Sequence, residues 1–124
     1  AKRDWGYAKD YVEAMHLMLQ QKKADDFVIA TGKTFSVRYF IEKVCQLLEI
    51  DIEWRGKGKK EIGINKKNNK TIVKVNPKFY RPAEVDYLLG DYTKAKKILS
   101  WEPKHNLDQL IEIMVNFELN DQNA

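Results

Sequence analysis

The sequence predicts a small mixed α/β domain of short strands and about four helices. Three observations carry this expectation. Four stretches, beginning near Asp10, Ser36, Thr93 and Asn106, show helical patterning or helix caps. Short β-patterned runs lie among them, at 26–32, 50–54 and 71–75. The length of 124 residues suits one domain with a modest core and falls well short of two.

Taken in order, residues 2–7 read as a strand end followed by a turn. Residues 10–21 read as an amphipathic helix, with Tyr11, Val12, Met15, Met18 and Leu19 on one face and Asp10 and Glu13 near its positive end. Residues 26–32 (Asp-Phe-Val-Ile-Ala-Thr-Gly) read as a short buried strand closed by glycine. Ser36 caps a second helix to about Leu48, whose apolar positions are Val37, Phe40, Ile41, Val44, Cys45 and Leu48. Cys45 therefore belongs to the core and is not a nucleophile. Residues 50–54 and 71–75 alternate like strands, and the Gly- and Asn-rich connection 56–70 between them reads as an exposed loop. Asp91 or Thr93 opens a short helix that ends at Leu99, and Trp101-Glu102-Pro103 interrupts the chain. Asn106 and Gln109 then form the capping box of a last helix with Leu107, Leu110, Ile111, Met114 and Phe117 on its apolar face. The domain is expected to span 1–119, with 120–124 a frayed tail.

Composition narrows the function classes. No apolar run approaches the roughly 20 residues of a membrane helix, and the N-terminal residues lack the apolar core of a signal peptide. One cysteine excludes an internal disulfide and a four-cysteine metal site, and a reducing cytoplasm is the expected compartment. His16 and His105 have no cysteine or carboxylate cluster around them that would suggest catalytic zinc. His16, beside the apolar stripe of the first helix, is expected to be partly buried or at an interface.

The formal charge of +4 is concentrated in one stretch. Arg55, Lys57, Lys59, Lys60, Lys66, Lys67 and Lys70 face Glu61 alone there, leaving the rest of the chain close to neutral. This stretch reads as a solvated loop or as a cradle for an anionic partner. A nucleic-acid binder would spread its cations over a wider face and interleave aromatic residues, so nucleic acid is disfavoured as a partner.

Several fragments imitate signatures without completing them. Gly58 and Gly63 have P-loop spacing, but Ile64-Asn65 stand where Lys and Ser/Thr must meet phosphate and magnesium. Gly32-Lys33-Thr34 supplies the other half of that motif, with Phe27 in place of its first glycine. Gly56 and Gly58 begin a dinucleotide fingerprint that fails at Glu61. Tyr39 and Lys43, like Tyr92 and Lys96, have the spacing of a dehydrogenase Tyr/Lys pair, as ordinary helix pairs do by chance in a chain this rich in lysine.

The four arginines are more informative. Arg38 and Arg55 read as surface residues. Arg81 precedes Pro82, which biases it to an extended backbone and projects its side chain. A guanidinium fork there can grip a diphosphate, and Glu84 three residues later can accept both hydroxyls of a ribose diol. The alternative is a plain Arg81–Glu84 surface ion pair. Arg3, beside Trp5, is equally open.

Read together, Arg3-Asp4-Trp5-Gly6-Tyr7-Ala8-Lys9-Asp10-Tyr11, Ile29-Ala30-Thr31-Gly32 and Arg81-Pro82-Ala83-Glu84-Val85-Asp86-Tyr87-Leu88-Leu89-Gly90-Asp91 resemble the GDP-mannose 4,6-dehydratase family of extended short-chain dehydrogenase/reductases. Thr93-Lys94-Ala95-Lys96 and Trp101-x-Pro103 are in register with it. Tyr39 stands where the family commonly has Glu at the capping position after Ser36. Lys33 and Phe35 also depart from its pattern, as does the Lys- and Asn-rich insert near 65–70.

The resemblance implies a C-terminal nucleotide-sugar-binding domain whose partner, an N-terminal Rossmann domain carrying NADP and the catalytic Tyr/Lys pair, would lie before Ala1. It implies GDP-mannose as substrate, Arg3 and Arg81 as diphosphate ligands, Glu84 as ribose ligand, no catalytic residue in these 124 positions, and a homo-oligomeric whole enzyme. Two rival expectations remain: the matching part of a GDP-sugar reductase or epimerase, and a free-standing basic module acting through residues 55–70.

Overall fold

The computed structural model describes residues 1–122. Strand β1 (Lys2–Arg3) pairs antiparallel with β2 (Phe35–Ser36), placing Arg3 opposite Phe35. On its other side β1 receives residues 86–88: Lys2 N–H donates to the Asp86 carbonyl at 2.7 Å and Leu88 N–H to the Lys2 carbonyl at 3.0 Å. Strands β3 (Ile52–Arg55), β4 (Ile62–Asn65) and β5 (Lys70–Lys74) form a separate antiparallel meander. Four helices accompany the two sheets: α1 (Ala8–Leu19), α2 (Val37–Leu47), α3 (Thr93–Leu99) and α4 (Leu107–Gln122). The expected mixed α/β class is the one observed.

The caps work as the sequence implies. Ser36 Oγ accepts the Tyr39 N–H at 3.0 Å to start α2. At α4, Gln109 N–H donates to Asn106 Oδ1 at 2.8 Å while Asn106 N–H donates to Gln109 Oε1 at 2.9 Å, so each satisfies an orphan donor of the other. α4 continues through Gln122, so Asn120, Asp121 and Gln122 of the expected frayed tail are helical. No proline or glycine in that stretch stops the helix. The rest of that tail, 123–124, lies outside the described residues.

Two clusters form the core. Ala14, Ala95, Leu99 and Trp101 join α1 to α3, with Phe27 and Ile29 packed against them. Leu107, Leu110 and Ile111 join α4 to α2 and to the aromatics Trp5, Phe35 and Phe40. Trp101, only 2% exposed, is the bulkiest buried side chain, and its Nε1–H donates to the Asp10 carbonyl at 2.9 Å.

Three expectations need correction. First, α1 does not bury Val12, Met15 and Leu19, which are 61%, 58% and 82% exposed. Its buried line runs through Asp10 and Ala14, with Tyr11, Leu17 and Met18 half-buried beside it. His16, expected to be partly buried or at an interface, is exposed. Second, residues 26–32 form no strand, because a strand needs a ladder and no backbone hydrogen bond of residues 27–30 is made among the described residues. Third, the supposed loop 56–70 contains β4, where Gly63 and Ile64 are buried. Gly63 permits this strand, since a Cβ there would sit 2.8 Å from Ile52 and 3.1 Å from the Trp54 ring. The Lys- and Asn-rich insert is the β4–β5 turn, with Asn69 in the left-handed region at φ 55°.

Cys45 is buried as expected. Burial pushes its thiol above the ordinary 9.0, and the charge of Glu42 adds to this. The fold thus favours the protonated thiol, a contribution present below the unfolded pKa and lost as pH rises through the folded one. Tyr11 is raised in the same sense by burial and by Asp4 and Asp10. The melting temperature is therefore expected to fall as pH rises past the ordinary thiol range and then past that of tyrosine, and Cys45→Ala should flatten the early part of that fall. An unchanged profile in the variant would remove Cys45 as a contributor.

Candidate functional site

The site is built where β1 meets the segment leading into residues 86–88. Arg3 lies on β1, and its guanidinium is held at two points: Nη1 donates to the Lys2 carbonyl at 2.9 Å and Nη2 to Glu84 Oε1 at 3.2 Å. Asn76 caps a 3₁₀ turn at Pro77–Phe79, its Oδ1 accepting the Lys78 N–H at 3.0 Å. Beyond it, Pro82 and Ala83 turn the chain back toward β1. Arg3, Tyr80, Arg81, Pro82, Glu84 and Leu88 line one open cavity of about 450 Å³.

All three sequence-predicted residues thus converge, but not in the pairing that spacing suggests. Glu84 bridges to Arg3, 81 positions away, rather than to Arg81. The backbone bonds of residues 86 and 88 to Lys2 lay Glu84 beside β1, which accounts for this choice. Arg81 is exposed and has no ion-pair partner among the described residues. Its charge is free to meet a ligand, whereas Arg3 must first share or release Glu84.

The basic stretch 55–70 does not form one surface. Lys57, Lys59 and Lys60 sit at the β3–β4 connection and Lys66, Lys67 and Lys70 at the β4–β5 end. A four-residue strand separates these ends by about 13 Å. Two of its charges are also neutralised locally, Arg55 meeting Glu53 at 3.0 Å and Lys66 meeting Asp51 at 3.9 Å, while its one acid, Glu61, pairs with Arg38, which stacks 4.8 Å over Trp54. One lysine of the stretch touches a residue of the cavity wall without lining the cavity itself: Lys59 Nζ lies 4.4 Å from the centre of the Tyr80 ring. This geometry weakens the basic-module expectation.

Sequence reasoning passed over Asp4. Its Oδ1 accepts from Thr31 N–H at 2.9 Å and Thr31 Oγ1–H at 2.5 Å, and its Oδ2 from Gly32 N–H at 3.0 Å and Gly90 N–H at 3.2 Å. One carboxylate therefore ties β1 to two distant segments. No spacing rule links positions 4, 31 and 90, so only the fold reveals it.

Chemically the cleft is suited to grip an anion: two guanidiniums line it, and its carboxylate is already spoken for by Arg3. It offers no activated nucleophile. Among the described residues no cluster of His, Cys, Asp and Glu could hold a metal ion, and no helix is long and apolar enough to cross a membrane.

Fold and cleft define a small mixed α/β domain with an open, arginine-lined cavity. A sequence model of the family described as GDP-mannose 4,6 dehydratase matches residues 1–114. Proteins of that name from Dictyostelium discoideum and Homo sapiens are 56% and 52% identical over 93% and 96% of this chain, which spans 32% of each. The one from Vibrio cholerae is 46% identical over 96% of this chain and 35% of its own length. The chain belongs to the GDP-mannose 4,6-dehydratase family, and it spans about a third of the length of the curated relatives it matches.

Proposed function

We propose that this chain is the substrate-binding part of a GDP-mannose 4,6-dehydratase. In this reading Arg3 and Arg81 hold the diphosphate of GDP-mannose and Glu84 accepts the ribose hydroxyls. The observation that carries it is the convergence of Arg3, Arg81 and Glu84 on one cavity in a member of that family. Gripping the nucleotide lets its binding energy orient a sugar carbon that these residues do not touch. The whole enzyme would act as a lyase, forming GDP-4-keto-6-deoxymannose by oxidation at C4, loss of water across C5–C6 and reduction at C6. That product stands on a route to GDP-fucose.

NADP, when bound, would supply the hydride exchange, but residues 1–122 do not fit a dinucleotide. The Gly56–Gly58 turn opens a three-residue 3₁₀ turn rather than a helix, and Glu61 stands at the third glycine position. The cofactor would belong to a Rossmann domain in the two-thirds of the relatives' length that these residues do not span. The outward stripe of Val12, Met15 and Leu19 and the unpaired backbone of residues 27–30 support such a neighbour. A homo-oligomeric whole enzyme rests on the family resemblance alone. A cytoplasmic site is supported by the single free thiol, Cys45.

The test is product analysis. The whole protein with NADP is expected to convert GDP-mannose to the 4-keto-6-deoxy sugar, while residues 1–124 alone give no turnover and bind GDP weakly. A reduced or epimerised sugar as the product would favour the reductase or epimerase reading instead. Turnover by the 124-residue chain alone would overturn the division of labour.

A further inference from the structure

The geometry points to Asp4 as a positioning residue for the nucleotide cleft, acting through Gly90 on the segment that carries Arg81 and Glu84. Every residue from 76 to 89 is exposed, so packing does little to hold that segment in place. After the Pro77–Phe79 turn, and apart from the Glu84–Arg3 side-chain bridge, its backbone is fastened to the domain at two places among the described residues. One is the pair of backbone bonds that Lys2 makes with Asp86 and Leu88. The other is Gly90, whose N–H donates to Asp4 Oδ2 at 3.2 Å. Both fasteners lie on residues flanking Arg3, so one short stretch sets the arginine and the returning end of the opposite wall.

Asp4 also fixes where that end can lie. Its Oδ1 is saturated by Thr31, and its Oδ2 is shared between Gly32 and Gly90. Gly90 rests so close to residue 30 that a Cβ on it would sit 2.2 Å from the Ala30 Cβ. The carboxylate thus clamps Gly90 against the 30–32 segment in a position only glycine fits. Removing the clamp leaves residues 81–89 held by the Lys2 backbone bonds and the half-exposed Glu84–Arg3 bridge. Arg81 and Glu84 then sample positions away from Arg3, and a displacement of about 1 Å in a binding group is enough to cost a large factor in productive binding.

This rests on the reading of the cleft as the GDP-mannose site. The experiment uses the whole enzyme and compares wild type with Asp4→Ala and Asp4→Asn. Asp4→Ala is expected to raise KM for GDP-mannose, and Kd for GDP by calorimetry, about tenfold or more, with kcat within about threefold. A role confined to stability would lower the melting temperature and the active fraction, and so the apparent kcat, while leaving KM unmoved. Asp4→Asn keeps one acceptor oxygen and should fall between the two, with KM raised about threefold; it decides the matter if Asp4→Ala does not fold. KM and Kd within about 1.5-fold of wild type in the folded variants would overturn the assignment. Wild-type enzyme that neither binds GDP nor turns over GDP-mannose would overturn the cleft reading itself, and this inference with it.

Discussion

Asp10→Ala should destabilise the domain by about 3 kcal/mol, lowering the melting temperature by about 10 °C, the largest loss expected from any single polar substitution here. Asp10 is 2% exposed, yet its carboxylate collects the N–H groups of Lys104 and His105, each at 3.1 Å, and His105 Nδ1 at 3.0 Å. With the carboxylate accepting, the His105 proton sits on Nδ1. These bonds fasten the start of α1 to the turn that precedes α4, so they join the two core clusters. Alanine leaves two backbone donors without an acceptor, each costing about 1–3 kcal/mol where water cannot reach them. The Trp101 bond uses the Asp10 main-chain carbonyl and survives the substitution. Asp10→Asn retains one acceptor oxygen and should lose about half as much. Urea unfolding followed by tryptophan fluorescence measures both. A loss below about 1 kcal/mol for alanine would mean that water takes over the role of the carboxylate.

What the sequence made legible was whatever is encoded locally. The Ser36 cap and the Asn106/Gln109 box are each contained within four residues, and both stand in the structure as read. Periodicity found α1 but misjudged its buried line, since of the five expected residues Tyr11 and Met18 pack on the core and Val12, Met15 and Leu19 do not. Hydropathy weights Val12, Met15 and Leu19 heavily, whereas the buried line is carried by small Ala14 and by Asp10, whose burial depends on partners some 95 positions away. Strand β4 was hidden because its centre is Gly63, a residue that usually marks a loop and here makes room for Ile52 and Trp54. Residues 27–30 show the opposite error. Their apolar pattern announces burial in part, with Phe27 and Ile29 packed against the core, but a pattern cannot supply the neighbouring strand. The site followed the same rule. Local chemistry singled out Arg81 and Glu84, but the Arg3–Glu84 contact spans most of the chain, and the family resemblance alone suggested that Arg3 belongs with them.

Arg81→Ala in the whole enzyme should weaken GDP-mannose by about tenfold to a hundredfold, the range of one or two charge-assisted hydrogen bonds. Arg81→Lys should recover only part of this, because an ammonium restores the charge without the two-pronged fork. Glu84→Gln separates the roles further, because the observed Arg3–Glu84 bridge means the two groups neutralise one another until a ligand arrives. A diphosphate must draw Arg3 away from Glu84, and the freed carboxylate can then accept the ribose hydroxyls. Glutamine removes the first cost and part of the second gain. Inorganic pyrophosphate should therefore bind Glu84→Gln more tightly, by less than about fivefold since the pair is half exposed, while GDP binds it more weakly. Opposite signs for two ligands from one substitution are hard to obtain from loosened folding, which would weaken both. Calorimetry with each ligand reads the signs directly. Equal weakening of both would make the Arg3–Glu84 bridge a scaffold contact only, and unchanged affinity in Arg81→Ala would take Arg81 out of the cleft's function.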